Sequence, residues 1–586
     1  MSHRWGLAAL TSSLFLLLAL NVPASVGSAA QTAAAVKHNP VCPAESAFFA
    51  PGHGQDIVVP KGFKAQVFAA GLNFPTGIAF VGSKSSFRAF VIESGSGLPG
   101  RCNNPAAAAA GGLFSPTNPL TPDIKVFDMR GHQIGGPIGK PTASGGGFRP
   151  GGPSIDLAFE HGFRGGRLFA SDVGAGVNNA RIAVVNLATG AVRTFIDGLP
   201  SMVDHPTEQL AFKGGWIYWS QGSATNSAVV GHDNFGGNGQ HDIPCQAITL
   251  SGNTWPSGDG HLTSGFSPHG VARPGATVPA FQGATHRGVC TGAILRARLG
   301  AAHPDTTIQP FSWGYRNPFG IRFAPPGHPV LPGKLFVTEN GEDLRGARPV
   351  NNAPDRLQLA SQNPDGTPDF HGWPDRFGFL DSTQRLFNPV PAPAIDDPSA
   401  VVGKPVEPVL AFPPQLPVDP LALEPADSAV VGVDFAPPLF TGGVVRPGAA
   451  LVAREGDLGF GPGNGEPELG HDVELVNFRR AADGFSVGLL RFAFNCPKPK
   501  QAHNPLGAAV CTTTDVDQAF VAHLHGINRP VGLLFGPDGA LYLVDYGAVR
   551  DVGQSDPDSM VKNPADLPFV QIPGTGVVWR ITKVGS

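Results

Sequence analysis

Charged residues are scarce in this chain of 586 residues, which has 41 Lys and Arg against 45 Asp and Glu. Together they make up 15% of the sequence, well below the roughly 25% that is usual for soluble globular proteins. The formal net charge is −4, and no stretch of the chain concentrates Lys or Arg. Because a nucleic-acid partner requires a basic surface, this composition argues against one.

Long apolar runs are missing beyond the N-terminus. Arg4 precedes an apolar run over residues 7–22, and a tract of small residues follows at 24–30. This order is typical of a secretory signal, because the run is interrupted by Thr and Ser and is short of the ~20 residues that a membrane anchor needs. We therefore predict a signal peptide over residues 1–30, an N-terminal extension over 31–59 and a secreted or periplasmic protein with no membrane span after signal removal.

Cysteine patterns that bind metals or haem are also absent. No CxxC pair occurs, which argues against a zinc ribbon, and no CxxCH occurs for covalent haem. An even number of cysteines in an exported protein predicts three disulfides, for which sequence alone leaves 15 pairings open. We favour the pairs that are neighbours in the sequence, which are Cys42 with Cys102, Cys245 with Cys290 and Cys496 with Cys511.

What the chain does contain is a short repeat. Each copy has an apolar stretch that ends in Phe, a Gly or Pro turn and a second alternating apolar stretch, as in VGLLF at 531–535 followed by ALYLV at 540–544. The period of two and the β-branched and aromatic residues predict paired strands. The six copies begin at Pro75, Ile155, Glu208, Phe319, Val431 and Val531.

Six radially repeated units predict an all-β fold, a six-bladed β-propeller with four-stranded antiparallel blades over residues 60–583. The copies lie farther apart than the ~40–50 residues that one blade needs. The chain must therefore carry long loop insertions, which we place near 225–305 and 343–428.

Polar residues lie directly before three of the copies. Asp204 and His205 precede the third, Arg316 and Asn317 precede the fourth, and Arg529 precedes the sixth. Loops that lead into the innermost strand of a blade lie at the mouth of the central channel. We therefore expect these side chains to face one another across a shared pocket.

The same segments resemble the soluble PQQ-dependent glucose/sorbosone dehydrogenase family. The similar stretches are DHPTEQLAFKGGWIYWSQGSATN from 204, WGYRNPFGIRFAP from 313, GKLFVTENGEDLRGARPVNNAPDRLQL from 333 and INRPVGLLFGPDGALYLVDYG from 527. This resemblance implies an extracytoplasmic oxidoreductase that oxidises an aldose or a related sugar aldehyde or polyol. Hydride would pass to PQQ and then electrons to an external acceptor.

The resemblance also implies roles for individual residues. His205 would be the general base, with Asp204 beside it. Calcium would be held by the backbone carbonyls of Gly341 and Glu342 together with the cofactor. The residues placed on PQQ are Arg316, Asn317, Arg529, Asn226 and Arg454.

Five positions depart from the family pattern: Phe319 and Asn340 stand where the family has Gln, Ser223 stands where an Asp orients the histidine, Val531 replaces an Arg, and the lysine of the fifth blade is missing, with Arg454 or Glu455 nearby. Two alternatives therefore stay open at this point. One is a calcium-dependent lactonase-type hydrolase, and the other is a non-catalytic propeller that binds a carbohydrate or another ligand. The candidate carboxylates for the hydrolase are Glu93, Asp156 and Asp434.

Overall fold

The computed structural model describes most of the chain from residue 35 onward. The predicted signal peptide over residues 1–30 lies outside the described residues. The described ranges are 35–38, 46–95, 121–142, 145–150, 152–174, 176–201, 203–231, 240–281, 289–390, 400–456, 469–482, 484–495, 523–524, 526–551 and 569–585.

Six sheets of at least four strands follow one another along the chain, and we number them as blades 1 to 6, with strands given from the channel outward. Blade 1 comprises Pro75–Ser83, Ser86–Glu93, Asp123–Asp128 and Gln133–Ile138. Blade 2 comprises Ser154–Phe159, Leu168–Asp172, Ala180–Val185 and Val192–Leu199. Blade 3 comprises Thr207–Lys213, Trp216–Gln221, Ala293–Arg298 and Gln309–Trp313. Blade 4 comprises Ile321–Phe323, Leu335–Glu339, Asp355–Ala360 and Ala422–Glu424. Blade 5 comprises Val430–Phe435, Ala450–Arg454, Asp472–Ala481 and Gly484–Asn495. Blade 6 comprises Pro530–Phe535, Leu541–Asp545, Gly576–Lys583 and Phe63–Leu72.

The ring is closed by the two ends of the chain. Phe63–Leu72, from the N-terminal side, pairs antiparallel with Gly576–Lys583 and completes blade 6. The innermost strands contact one another in order around the ring, from blade 1 to blade 6 and back to blade 1. The predicted six-bladed propeller with four-stranded antiparallel blades is therefore confirmed. Ile57–Val58, from the predicted N-terminal extension, adds a strand to the outer edge of blade 5.

Each interface between neighbouring blades holds a hydrophobic core of its own. Successive side chains of a strand point to opposite faces, and in a propeller both faces are buried. In blade 6, Leu541 and Leu543 pack into the core shared with blade 5, whereas Tyr542 and Val544 pack into the core shared with blade 1. This explains why the repeats are apolar at consecutive positions.

Glycines allow the innermost strands to approach closely in the middle of the channel. A Cβ atom on Gly320 would lie 2.1 Å from the Val431 carbonyl oxygen, and one on Gly532 would lie 2.5 Å from the Thr76 carbonyl oxygen. Beyond this narrow section, toward the ends of the innermost strands, lies a cavity of about 550 Å³. The strand-ending phenylalanines of the repeat line it: Phe80, Phe159, Phe212, Phe323, Phe435 and Phe535.

Loops between the second and third strands of the blades all leave on one face, which also carries the starts of the innermost strands. In blade 3 this loop spans residues 222–292, and in blade 4 it spans 340–354. The third strands Ala293–Arg298 and Asp355–Ala360 lie inside the insertions predicted near 225–305 and 343–428. In blade 4 the insertion is thus split into two loops.

The two insertions are joined to each other. Ile248–Leu250 pairs with Thr277–Val278 on one side and with Leu410–Phe412 on the other. The predicted disulfide between Cys245 and Cys290 is present and closes the blade-3 insertion near its base. The other four cysteines lie outside the described residues.

Smaller elements complete the described part of the chain. Asp369–Phe370 lies parallel to the outer strand of blade 3. None of the described helices is long and apolar enough to cross a membrane. The remaining strands are Ala35–His38, Ser46–Phe49, Trp255–Pro256, Leu262–Thr263, Arg376–Phe377, Leu380–Asp381, His523–Leu524, Ala548–Asp551 and Phe569–Ile572, and the short 3₁₀ helices include Gly162–Arg164, Pro304–Thr307 and Arg385–Phe387.

Candidate functional site at the channel mouth

Backbone hydrogen bonds bring the loops before blades 3 and 4 together at the channel mouth. The amides of Asp204 and His205 donate to the carbonyls of Ala224 and Ser223, at 3.1 and 3.0 Å. The Ser223 amide in turn donates to the Arg316 carbonyl at 2.8 Å. This ladder fixes Asp204, His205 and Arg316 on one rigid frame, as expected from their equivalent positions before the innermost strands.

Asp204 and His205 form a close pair. The Nδ1 atom of His205 lies 3.1 Å from Oδ2 of Asp204, and about 20% of the histidine side chain is exposed. Asp204 therefore supplies the carboxylate that the sequence comparison had looked for at Ser223. The Ser223 hydroxyl instead donates to the Thr225 carbonyl at 2.6 Å.

Two arginines hold the same aspartate. Arg345 donates to Oδ1 of Asp204 at 2.6 Å, and Nη2 of Arg316 lies 3.3 Å from Oδ2. Both arginines also contact the carboxylate of Asp343, and Nη1 of Arg316 donates to the Gly341 carbonyl at 2.7 Å. Arg345 and Asp343 lie in the stretch from 333 that resembles the family, but neither was among the predicted site residues.

This arrangement determines which groups are charged. Burial would raise the pKa of Asp204, but Arg345, His205 and Arg316 together hold it well below its usual value. Burial and the charge of Arg316 lower the pKa of His205, and Asp204 only partly opposes them. At neutral pH the pair is therefore an ionised carboxylate next to an uncharged imidazole, which is the state that a general base requires.

A hydrogen-bond chain places a proton on Glu208, the first buried acidic residue of the third repeat. The Val430 carbonyl can only accept, so the Asn340 amide donates Nδ2 to it at 2.8 Å. Oδ1 of Asn340 then accepts from Nδ2 of Asn317 at 2.8 Å. This leaves Oδ1 of Asn317 facing the two Glu208 carboxyl oxygens at 2.7 and 2.9 Å.

Two oxygens at that distance require a hydrogen between them, and Asn317 cannot provide it from Oδ1. Glu208 must therefore be a neutral carboxylic acid that donates to Asn317. Burial raises the pKa of Glu208 well above its usual value, and the nearby Glu455 and Asp204 reinforce the shift against Arg316. Asn317, predicted to bind the cofactor, is thus held by the acid of blade 3 and the amide of blade 4.

Asn226 and Arg529 contact the loops around the mouth. The Asn226 side chain donates to the carbonyls of Asp343 and Arg345 at 2.8 and 3.1 Å and accepts from the Asp343 amide at 2.9 Å. It therefore holds the blade-4 loop that positions these two residues. Arg529 is fully buried and donates from Nη1 to the Gly456 carbonyl at 2.6 Å.

Arg454 belongs to a different group of residues. Its guanidinium donates two hydrogen bonds of 2.7 Å to Asp472, in the next strand of blade 5. It also lies 3.3 Å from Glu424 and 3.4 Å from Glu474. Arg454 therefore pairs with three carboxylates of its own surroundings, and the structure does not bring it together with Arg316.

At the predicted calcium position, the Gly341 carbonyl accepts one hydrogen bond from the cationic Arg316 at 2.7 Å. The Glu342 side chain is buried, and no described residue donates a hydrogen bond to either of its carboxyl oxygens. Burial raises the pKa of Glu342 to about 8, with Arg356 opposing the shift. The prediction named the backbone carbonyls of Gly341 and Glu342, and calcium at this loop stays a prediction.

The carboxylates weighed for a lactonase do not meet at one point. Glu93 accepts from the Asn73 amide at 2.7 Å and lies 3.5 Å from Lys125. The other two line the cavity of about 550 Å³ and tie neighbouring blades together. Asp156 accepts from the Leu210 amide at 2.9 Å, and Asp434 accepts from the Phe535 amide at 2.8 Å.

Comparisons with known proteins identify fold relatives only. No protein-family model matches the chain, and no curated protein matches it. Among solved structures, it is similar to a proposed oxidoreductase (glucose dehydrogenase) from Thermus thermophilus, with 16% identity, 89% of this chain and 99% of that chain covered, and a TM-score of 0.40. A calcium structure of a Trichoderma reesei carbohydrate-active enzyme of family AA12 has 13% identity, 91% and 98% coverage and a TM-score of 0.44. A Xanthomonas campestris gluconolactonase has 10% identity, 55% and 86% coverage and a TM-score of 0.22. These values are too low to transfer a function to this chain.

Proposed function

We propose that this propeller is an oxidoreductase that oxidises an aldose or a related sugar aldehyde or polyol at the channel mouth. The observation that carries the proposal is the His205–Asp204 pair, a neutral imidazole held against an ionised carboxylate in a partly exposed position. Oxidation of a carbon that bears a hydroxyl removes a hydride from the carbon and a proton from the oxygen. The protein must therefore provide a base for the proton.

His205 provides that base. Asp204 lies against Nδ1, which favours the tautomer with its proton on that nitrogen, and leaves Nε2 to accept the hydroxyl proton. The arginines that hold Asp204 keep it ionised, so it can stabilise the imidazolium that forms. General-base catalysis of this kind contributes about 10²–10⁴-fold to a rate.

The hydride acceptor in this proposal is PQQ. Its carboxylates are negatively charged, so a pocket that binds it needs cationic side chains in fixed positions. The mouth carries Arg316, Arg345 and Arg529 against the ionised Asp204 and Asp343, with Glu208 neutral. Nε of Arg316 is buried and has no acceptor among the described residues, so one donor of this arginine is left for an anionic group. These residues fit an anionic cofactor, and when bound PQQ would supply the ortho-quinone that takes up the hydride.

Calcium at the loop of Gly341 and Glu342 stays a proposal that rests on the family resemblance, and no step of the reaction is derived through it. An external electron acceptor would reoxidise the cofactor. The Cys245–Cys290 disulfide is of the kind that persists in oxidising compartments, which supports the proposal that the protein is exported.

The test separates cofactor binding from turnover. Purified protein is titrated with PQQ, with and without calcium, while the cofactor absorbance is followed. Dye reduction is then measured with a panel of aldoses. We expect His205→Gln to lower turnover by about 10²-fold or more while leaving PQQ affinity within a few-fold.

The matched control is His132→Gln. His132 also pairs with an aspartate, with Nδ1 3.2 Å from Asp128, but it lies at the outer part of blade 1. This variant should keep normal turnover. An absence of both a PQQ spectral change and dye reduction at saturating cofactor would refute the dehydrogenase proposal, and normal turnover in His205→Gln would refute the role of the histidine.

A further inference from the structure

The blade-3 insertion carries a compact arrangement of two histidines and an aspartate away from the residues discussed above. Trp255–Pro256 and Leu262–Thr263 pair as a short hairpin, and its turn contains Asp259 and His261. The chain then loops back, and Gly270 donates its amide to the Leu262 carbonyl at 2.9 Å. This return places His269 beside the hairpin turn.

The side chains converge on the carboxylate of Asp259. Nδ1 of His261 lies 3.1 Å from Oδ1, and Nδ1 of His269 lies 3.5 Å from Oδ2. The two imidazole rings are 4.4 Å apart between centroids, and one donor atom from each of the three residues falls within a 4.8 Å span. Two ligand atoms at ~2.0–2.2 Å from one ion lie at most about 4.4 Å apart, and both imidazole-to-carboxylate distances are within that limit.

The loops that carry these residues are held in place without the metal. Ser257 donates its hydroxyl to Oδ1 of Asp259 and to the His261 carbonyl, the latter at 3.1 Å. The Ser267 hydroxyl donates to the His269 carbonyl at 2.6 Å. These bonds fix the backbone on both sides of the cluster, so the entropy lost on metal binding is small.

Charge and solvent access also suit a cation. Asp259 places its carboxylate between the two imidazoles, with 3.1 Å to His261 and 3.5 Å to His269, so the three donors include one anionic group. Side-chain exposure is 64% for His261, 49% for His269 and 22% for Asp259. An ion could therefore enter from solvent and retain water at its remaining positions.

We propose that Asp259, His261 and His269 form a surface site for a divalent transition-metal ion of the Zn²⁺ type. Two imidazoles and one carboxylate are borderline donors that favour Zn²⁺, Ni²⁺ or Cu²⁺, whereas Ca²⁺ and Mg²⁺ prefer all-oxygen sites. The ion would cross-link the hairpin turn and the returning loop of the insertion. The proposal does not depend on the oxidoreductase function.

The experiment is a calorimetric titration of chelator-treated full-length protein with Zn²⁺, followed by Co²⁺ as a spectroscopic probe of the ligand geometry. We expect one strong site per chain, with protons released on binding. His261→Gln or His269→Gln should weaken Zn²⁺ binding about tenfold or more, and the double variant should abolish the strong site. His303→Gln, which removes another exposed histidine, is the matched control and should bind as the wild type does.

Without metal, the wild type and the variants should unfold at the same temperature. This control shows that a variant that loses Zn²⁺ binding is still folded. Three outcomes would overturn the proposal: no Zn²⁺ binding by the wild type, undiminished binding by the double variant, or displacement of Zn²⁺ by equal concentrations of Ca²⁺. In the second case the ion would be bound by other residues.

Discussion

Replacing Glu208 with glutamine tests the proton that the hydrogen-bond chain places on this side chain. Glutamine is nearly isosteric with a protonated glutamic acid, and its amide can donate to Oδ1 of Asn317 as the acid does. The substitution therefore preserves the contact and removes only the ability to ionise. If Glu208 were an ordinary carboxylate, the change would remove a charge that the nearby Arg316 stabilises.

The size of the effect follows from proton linkage. In the unfolded chain Glu208 ionises near its ordinary pKa of about 4.5, whereas burial keeps it protonated to higher pH in the folded protein. The folded state then binds more protons, so wild-type stability falls as pH rises from the unfolded to the folded pKa. Each unit between these two values corresponds to about 1.4 kcal/mol.

Because glutamine cannot ionise, the stability of Glu208→Gln should not fall in this way as the pH rises. It should be equal to the wild type in stability below pH 4 and more stable at pH 7 to 8, by about 1.4 kcal/mol for every pH unit between the unfolded pKa and the folded pKa, or the assay pH where that is lower. The assay is urea unfolding of both proteins from pH 4 to 8. An infrared difference spectrum at pH 7 should show a protonated carboxyl band that the variant lacks.

Glu160→Gln is a control of opposite sign. Glu160 forms a pair of hydrogen bonds with Arg167, which lowers its pKa. Its contribution to stability is present above the unfolded pKa and is lost as pH falls, so the variant should be less stable than wild type at pH 7 and equal to it at low pH. A Glu208→Gln variant that loses stability at pH 7 in the same way as Glu160→Gln would refute the neutral acid.

Two further predictions concern the fold. Gly320→Ala should destabilise the protein by roughly 1–3 kcal/mol or more in urea unfolding, because its Cβ would lie 2.1 Å from the Val431 carbonyl oxygen. The control is Gly300→Ala, which has open space around it and should change the stability by less than about 1 kcal/mol. Removing the disulfide by changing both Cys245 and Cys290 to Ala should cost up to about 4 kcal/mol by the loop-entropy relation, given a sequence separation of 45. An unchanged unfolding midpoint in Gly320→Ala would contradict the first expectation, and a double cysteine variant as stable as the oxidised wild type would contradict the second.

The sequence predicted the inner part of the fold because that information is local. Each innermost and second strand is buried on both faces and is joined to its partner by a short turn, so it forms an apolar run with a Gly or Pro break. The outer strands carry less signal. Gln133–Ile138 is exposed along much of its length, and Phe63–Leu72 pairs with Gly576–Lys583 at the other end of the chain. No local pattern shows that pairing.

The same distinction applies to the candidate site. The propeller topology was enough to place Asp204, His205 and Arg316 near one another, because they occupy equivalent positions before neighbouring innermost strands. It could not show that Arg345 and Asp343 would join them. Their loop follows a second strand, and its path depends on the contacts with Asn226, which is more than 100 residues away in sequence. The pairing of Arg454 with Asp472 could not be predicted from the sequence for a related reason, since strand register decides which carboxylate an arginine meets.

The chain direction within a blade explains why the polar site and the insertions share one face. The innermost strand starts, and the second strand ends, at the face that bears His205. Any residues added between the second and third strands must therefore extend around the channel mouth, as residues 222–292 and 340–354 do. The opposite end of the channel holds the cavity of about 550 Å³, which the phenylalanines that end the innermost strands line together with Asp156, Arg322 and Asp434. The two faces of the ring therefore differ, because the insertion loops surround the mouth that bears His205, whereas the strand-ending phenylalanines surround the cavity.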